Sequence, residues 1–490
     1  MENSAEQASF INQAKYADWQ DKYTFDNCLL KRGEYGEFLA DYITGEHDGF
    51  VLNLNGGWGS GKTEFLKRFY SLLLKRNHPV IYIDAWESDF SKDPLTVVTS
   101  ELLTQLETFN YNLDSIEEVE RFKKLCGRFI KGLAVGVSAY LSKQYLGDPS
   151  IIGNAVQQAI SGEPDSLLTV LSTEHQELVS AIQQIRITLG EVAGKLTGGG
   201  AKLPVVVLVD ELDRCRPNYA IEMLEVIKHF FKTDNFVFVV ATDTDQLIHS
   251  IAAVYGAGFD AAQYLKRFFD RKASLPEPNL VDYLSSKLQD NEPYSYLYPF
   301  PSGFYANLKI LEIETIAKLA NYYQLKIRDV DQLINKLNSC LRFAQNVGSK
   351  KQQIQAICIP ALIIGLIEFD RGESFFYKRK NNKSDDLSLR KNTEDEIFEG
   401  LKIKDFINLC MSSTQLHIYE ELNQYGRKIQ VTEVRSYSRI EDLKLGAIHL
   451  EVNRWANYMT ADISNSYDSS RKYWLWDDYK KAIELAGNIE

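Results

Sequence analysis

The sequence predicts an α/β fold with a central parallel sheet flanked by helices, and three observations carry that expectation. Apolar, β-branched runs recur at Phe50–Leu54, Pro79–Ile83, Val205–Val209 and Phe236–Ala241, each ending in polar or acidic residues. Segments with helical spacing separate them, and a glycine-rich loop follows the first run directly. Consecutive apolar positions without alternation are what a strand covered on both faces requires.

The loop Gly56-Gly57-Trp58-Gly59-Ser60-Gly61-Lys62-Thr63 fits the phosphate-cradle pattern G-x-x-x-x-G-K-[ST]. Glycine lets the backbone curl so that successive N–H groups converge on an anion, and the dipole of the next helix, Lys62–Lys75, adds positive charge at the same point. The segment expected to hold a nucleoside triphosphate is Gly57, Trp58, Gly59, Ser60, Gly61, Lys62, Thr63 and Glu64. Lys62 is expected to reach the β- and γ-phosphates, and the Thr63 hydroxyl to ligate Mg²⁺.

The second run ends in Asp84-Ala85-Trp86, and a helix is expected over Pro94–Leu106 with proline in its first turn. The most hydrophobic run, Val205–Val209, ends in Asp210-Glu211. An acid at the carboxyl end of a parallel strand beside a phosphate loop can hold Mg²⁺ through its water shell, the role expected of Asp210. Glu211 is then the candidate for orienting and deprotonating water. Adjacent carboxylates also describe a solvated turn, a reading the neighbouring loop disfavours. After a helix over Tyr219–Phe231, the run Phe236–Ala241 ends in Thr242-Asp243. Thr242 or Asp243 senses the γ-phosphate if this strand lies between those carrying the loop and the acidic pair; both also suit the cap of a helix over Asp245–Tyr255. A last short strand is expected at Ala273-Ser274-Leu275, closing at Pro276.

At 490 residues the chain has room for two or three domains, and a net charge of -12 argues against bulk nucleic-acid binding. Six scattered cysteines without a C-x-x-C pair suggest neither a zinc site nor a disulfide framework, so a reducing cytoplasm is expected. The polar start lacks a secretory signal. The apolar stretches Gly132–Leu141 and Ile357–Phe369 fall short of the roughly 20 residues a membrane span needs; buried helices are expected, the first also suiting peripheral membrane contact.

Asp26, Arg32, Tyr35 and Leu39, the loop Gly57–Thr63, Asp84-Ala85-Trp86, Asp210-Glu211-Leu212-Asp213-Arg214-Cys215, and Tyr264-Leu265-Lys266-Arg267 with Leu275-Pro276 together resemble the KAP family of P-loop NTPases over residues 20–370. The resemblance implies an ATPase using ATP and Mg²⁺, of the same broad class as AAA+ and STAND proteins. Two departures stand out. Asp-Asp is common in the family where this chain has Asp210-Glu211, and many members carry transmembrane helices in the insertion between the second and third strands, where this chain has no full span. Instead Leu171, Leu178, Ile182, Ile185, Leu189, Val192 and Leu196 form a helical seam, suited to its own domain's core or to a partner helix. The implied parcels are 20–108 and 201–280 for the NTPase domain, 109–200 for a helical insertion, 281–370 for a helical lid, and 371–490 for a mainly helical C-terminal domain.

Among the arginines, Arg214 is expected at the site's rim. Arg267 and Arg271 stand where related ATPases place a finger acting on a neighbouring subunit, and Arg328 resembles the sensing arginine of a lid; each also suits a surface ion pair. Asn382-Lys383-Ser384-Asp385 matches a guanine-reading pattern, but no hydrophobic strand leads into it, so adenine is expected by resemblance. The polar stretch Phe375–Thr393 is expected to be a solvated loop, with Lys378-Arg379-Lys380 able to touch phosphate backbones. Beyond it Trp455, Trp474 and Trp476 supply core or interface surface, and His417 and His449 lack metal-ligand spacing. Resemblance further implies a switch in defence against phage or plasmids, forming a homo-oligomer or meeting separately encoded effectors. The alternatives are a nucleotide-gated scaffold with little turnover and a DNA-associated motor.

Overall fold

A computed structural model describes residues 14–46, 48–91, 94–109, 117–122, 124–125, 180, 182–230, 233–288, 294–301, 308–381, 396–398, 401–434, 461–462 and 470–488. The chain divides into two compact units, Met1–Pro278 and Asn279–Glu490.

In the first unit β1 (Asp48–Asn55), β2 (Val80–Asp84), β3 (Val205–Asp210), β4 (Phe236–Thr242) and β5 (Arg271–Ser274) form a 5-stranded sheet in the order β2-β3-β4-β1-β5. All neighbours are parallel. β4 therefore lies between the loop-bearing strand and the acid-bearing strand, the condition on which the reading of Thr242 depended. Every residue of β3 and β4 is buried, which explains their unbroken apolar character. Register aligns the strand ends: Asp84 pairs with Asp210, and Asn55 with Thr242 and Ser274.

The flanking helices are α1 (Gly33–Thr44), α2 (Lys62–Lys75), α3 (Pro94–Thr108), α4 (Pro217–Phe230), α5 (Thr244–Tyr255) and the short α6 (Ala261–Leu265). On α2, Phe65, Leu66, Phe69, Tyr70, Leu73 and Leu74 recur at helical spacing and are all buried, so one face of this helix is core. Two boundaries differ from expectation. The helix after Arg214 starts at Pro217, because proline is pre-set for the first helical turn. β5 begins at Arg271 rather than Ala273, because an edge strand pairing only with β1 can be mostly exposed and needs no apolar run.

In the insertion, helical residues 182–196 bury Ile185, Leu189, Val192 and Leu196 in the first unit's core, with Ile182 packed against it. The described part of the seam thus serves its own domain. Leu171, Leu178 and Gly132–Leu141 lie outside the described residues.

The second unit is mainly helical: α7 (Leu280–Lys287), α8 (Leu308–Tyr323), α9 (Ile327–Lys351), α10 (Ile359–Asp370), α11 (Ser374–Lys378), α12 (Ile403–Ser412) and α13 (Trp476–Gly487). It also holds strands absent from the sequence reading. β6 (Leu297–Phe300), β7 (Gln355–Cys358) and β10 (Lys472–Tyr473) form a 3-stranded parallel sheet, and β8 (Leu416–Leu422) with β9 (Lys428–Val434) an antiparallel pair. Ile357 belongs to β7, and α10 is buried from Ile359 through Glu368. Among the described residues no helix is long and apolar enough to cross a membrane.

The expected loop over Phe375–Thr393 is corrected at its start. Phe376, on α11, is fully buried, and Arg379 makes a two-pronged ion pair with Glu368 at 2.8 and 3.1 Å while stacking on Trp476 at 4.4 Å. Its guanidinium has a buried carboxylate to satisfy and is not presented to phosphate. Trp474 and Trp476 are core. His417 lies on β8, whereas Asn382-Lys383-Ser384-Asp385, His449 and Trp455 fall outside the described residues.

Removing one partner of a buried pair strands the other charge, so Arg379→Met should destabilise the second unit by about 3–5 kcal/mol in chemical denaturation. The double change Glu368→Leu with Arg379→Met should cost less than the single one, because no charge is left unpaired.

Candidate functional site

The loop after β1 turns through two left-handed glycines, Gly59 (φ 74) and Gly61 (φ 86), the second immediately preceding α2. Such backbone angles favour glycine and aim the next N–H groups inward. The loop is also tight: a Cβ on Gly56 would lie 2.7 Å from Ser60 Oγ. Lys62, buried at the start of α2, donates from Nζ to the Gly56 carbonyl at 2.7 Å and lies 3.5 Å from Asp213 Oδ2. Its ammonium is thus held by the loop's own carbonyl and by a carboxylate at 3% side-chain exposure.

At the tip of β3 the Asp210 carboxyl is fully buried. It accepts from the Tyr82 hydroxyl at 2.9 Å and from the Glu211 N–H at 2.9 Å. Burial pushes it up to about 6; the Thr63 hydroxyl beside it, Tyr82 and the Glu211 N–H oppose that rise, and the Glu211 charge adds to it. Burial, together with the Asp210 charge, also drives the Tyr82 phenol far above its usual range, so it stays a donor. Glu211 takes a left-handed backbone angle, φ 61, unusual for a residue with a long side chain. Its Oε1 accepts from Thr63 Oγ1 at 2.8 Å, and its Oε2 pairs with Arg214 Nε. Thr63, Asp210 and Glu211 therefore share one small polar cluster.

At the end of β4, Thr242 and Asp243 have different surroundings. Asp243 caps α5 by accepting from the Gln246 N–H at 3.2 Å, and its other oxygen accepts from the Trp58 N–H at 3.0 Å. The Thr242 hydroxyl is fully buried, and neither it nor Ser60 Oγ has a hydrogen-bond partner among the described residues. A buried hydroxyl without a partner loses hydrogen-bond energy that a bound polar group would restore. Glu64 turns its carboxylate toward Arg68, one helical turn on, leaving its main chain in the first turn of α2. Arg267 is exposed in the turn between α6 and β5, with no side-chain partner among the described residues. Arg271 donates to the Asp270 carbonyl at 2.9 Å. Arg328 is exposed on the first turn of α9, in the second unit.

Five participants were not foreseen in these roles. Asp213 faces Lys62, and Tyr82 holds Asp210. Arg32, at 4% exposure, donates to the Ser60 carbonyl at 2.9 Å and the Pro276 carbonyl at 2.7 Å, tying the loop to the segment after β5. Burial pulls its guanidinium down to about 10. Trp58 and Trp86 flank Arg214, with the guanidinium 4.8 and 5.8 Å from the ring centroids. The available signals were a third acid within Asp210–Asp213, a lone phenol in the apolar run Val80–Ile83, and an indole in a loop that needs none.

These residues fit a magnesium-bound triphosphate. The left-handed loop offers amides, Lys62 a charge, Thr63 and Asp210 oxygen ligands for a hard cation, and Ser60 and Thr242 uncommitted hydroxyls.

A family model described as the KAP family P-loop domain matches residues 32–344. The phage T7 exclusion protein of Escherichia coli (strain K12) is 25% identical over 246 residues, or 47% of this chain and 31% of that protein. The chain thus matches about a third of that relative's length. Among solved structures, AMPPCP-bound DnaA from Aquifex aeolicus aligns over 80% of this chain and 82% of its own, at 10% identity and a TM-score of 0.28. The Aeropyrum pernix ORC2 protein aligns over 88% and 95%, at 13% identity and 0.26. Both likenesses are distant, and the fold stands on the strand order alone.

The Asp210 carboxyl is raised above its unfolded value near 4, so the protonated form is the one the fold favours. Stability of the metal-free protein should fall as pH rises from about 4 through 6, and the penalty should be complete above that. Asp210→Asn should accordingly raise stability in chelator at pH 8 by about 3 kcal/mol, and by little at pH 4, in denaturant titrations.

Proposed function

This chain belongs to the KAP family of P-loop NTPases, and from that premise we propose that it binds Mg·ATP at the loop after β1 and hydrolyses it as a molecular switch. The observation that carries the reading is the convergence, at the ends of β1, β3 and β4, of Lys62, the Thr63–Asp210–Glu211 cluster and the unpartnered Thr242 hydroxyl. Loop amides from Gly57 to Thr63 and the start of α2 at Glu64 hold the phosphates, and Lys62 exchanges the Gly56 carbonyl and Asp213 for phosphate oxygens. Thr63 and Asp210 would hold magnesium, which would supply positive charge at the phosphate oxygens. Glu211 orients and deprotonates water, and Thr242 donates to the γ-phosphate.

The arginines extend this reading beyond one subunit. Exposed and unpaired among the described residues, Arg267 suits delivery to a neighbouring copy, while Arg328 serves as the lid's sensor. We assign residues 20–108 and 201–280 to the NTPase domain, 109–200 to its insertion, 281–370 to the lid and 371–490 to a C-terminal domain. The relative's description as a phage exclusion protein supports a role as sensing or assembly ATPase in cytoplasmic defence, acting with separately encoded effectors. A second reading, a nucleotide-gated scaffold with little turnover, gains support from Glu211, whose two oxygens are both engaged.

Lys62→Ala should abolish Mg·ATP binding in calorimetry. Glu211→Gln should keep binding but lower multiple-turnover phosphate release by about 10²–10⁴-fold; equal, negligible release from wild type and variant would favour the scaffold. If Arg267 acts on a neighbour, mixing inactive Arg267→Ala with inactive Lys62→Ala should restore part of the activity, since one mixed interface keeps both groups. Turnover that stays at zero in the mixture counts against a trans role.

A further inference from the structure

Arg214 draws together three parts of the candidate site. Its Nε pairs with Glu211 Oε2, and its guanidinium stacks between Trp58 of the phosphate loop and Trp86 of the turn after β2. Large indoles are normally withdrawn into a core, yet these are 49% and 55% exposed. Both sit at the rim, where they lend their faces to a cation, an attraction that strengthens as water is excluded. Trp58 is itself fixed by its N–H to Asp243. The other oxygen of Glu211 accepts from Thr63, and its backbone sits at a left-handed angle.

We infer that Arg214 is a positioning residue that holds Glu211 in an orientation unable to act on water, and that the loop carrying Trp58 releases it when the loop grips a triphosphate. The inference rests on the ATPase reading above. A general base needs an oxygen within hydrogen-bond reach of the water it deprotonates. Here one oxygen is committed to a guanidinium and the other to a hydroxyl. A ligand can shift such an arrangement only if it binds one state better than the other. The difference lies in the loop: amides that must turn toward an anion carry Trp58 with them, removing one of the two faces on which Arg214 rests. An arginine placed to neutralise transferred phosphate would keep its charge and its faces free, whereas the Arg214 guanidinium is ion-paired with Glu211 and lies between two indoles.

The test uses the full chain, measuring steady-state phosphate release from Mg·ATP and equilibrium binding of a non-hydrolysable ATP analogue. Arg214→Gln should raise basal kcat by about fivefold or more and tighten analogue binding in the same direction, since the ligand no longer has to displace the restraint. Arg214→Lys, which restores a cation beside Glu211, should bring kcat back toward wild type, a rescue that a purely structural role would not produce. Trp86→Leu, outside the phosphate loop, removes one stacking face and should raise kcat in the same direction, so the question stands even if Arg214→Gln does not fold. Release that is unchanged or lowered in Arg214→Gln and Trp86→Leu, while wild type turns over and Glu211→Gln does not, overturns the restraint and leaves the ATPase reading in place. No turnover in wild type and in both variants overturns the two together.

Discussion

A carboxylate with no exposure, at the end of an entirely buried strand, is the constraint around which the first unit is arranged. Burying such a group is costly unless donors meet it, and the sheet supplies them. Parallel register sets Asp84 beside Asp210, which brings the Tyr82 hydroxyl, two residues earlier on the same strand, within 2.9 Å of Oδ2. The turn that follows folds back so that the Glu211 N–H reaches Oδ1, at the expense of a left-handed angle for glutamate. From that point the remaining charges pair locally: Glu211 with Arg214, and Asp213 near Lys62. The cluster is thus neutralised by its own members, and an incoming phosphate competes with Asp213 and a loop carbonyl for one ammonium group.

Much of this was legible in the sequence, for reasons that differ by element. The strands read clearly because all-apolar runs leave few other ways to be buried on both faces, and the loop read clearly because few local sequences place glycine and lysine at those offsets. What sequence could not reach were contacts made at long separation. Arg32 and Ser60 meet across 28 residues and Tyr82 and Asp210 across 128, and nothing local to either member announces the other. β5 was displaced because exposed edge strands carry no hydrophobic signature. Arg379 misled by composition: flanked by lysines it reads as solvated, whereas its partner Glu368 hides on an otherwise apolar helix.

The second unit shows how helical patterning can conceal short strands. β6, β7 and β10 hold four, four and two residues, too few for a period to emerge, yet together they seat the Trp474 indole, whose N–H reaches Gln355 at 3.1 Å. In the insertion, by contrast, periodicity was long enough to identify a buried face. Its described portion contributes Ile185, Leu189, Val192 and Leu196 to the core of the sheet domain, so this part of the insertion adds thickness to the domain rather than a free surface.

The placement of Trp58 and Trp86 has an optical corollary. Of the six tryptophans in the chain, these two stand half in water on either side of a guanidinium, while Trp474 and Trp476 are buried. Water-exposed indoles emit at longer wavelength than buried ones and are readily reached by iodide or acrylamide. These two indoles therefore contribute to the red edge of the protein's own fluorescence and report on the mouth of the phosphate loop with no dye attached.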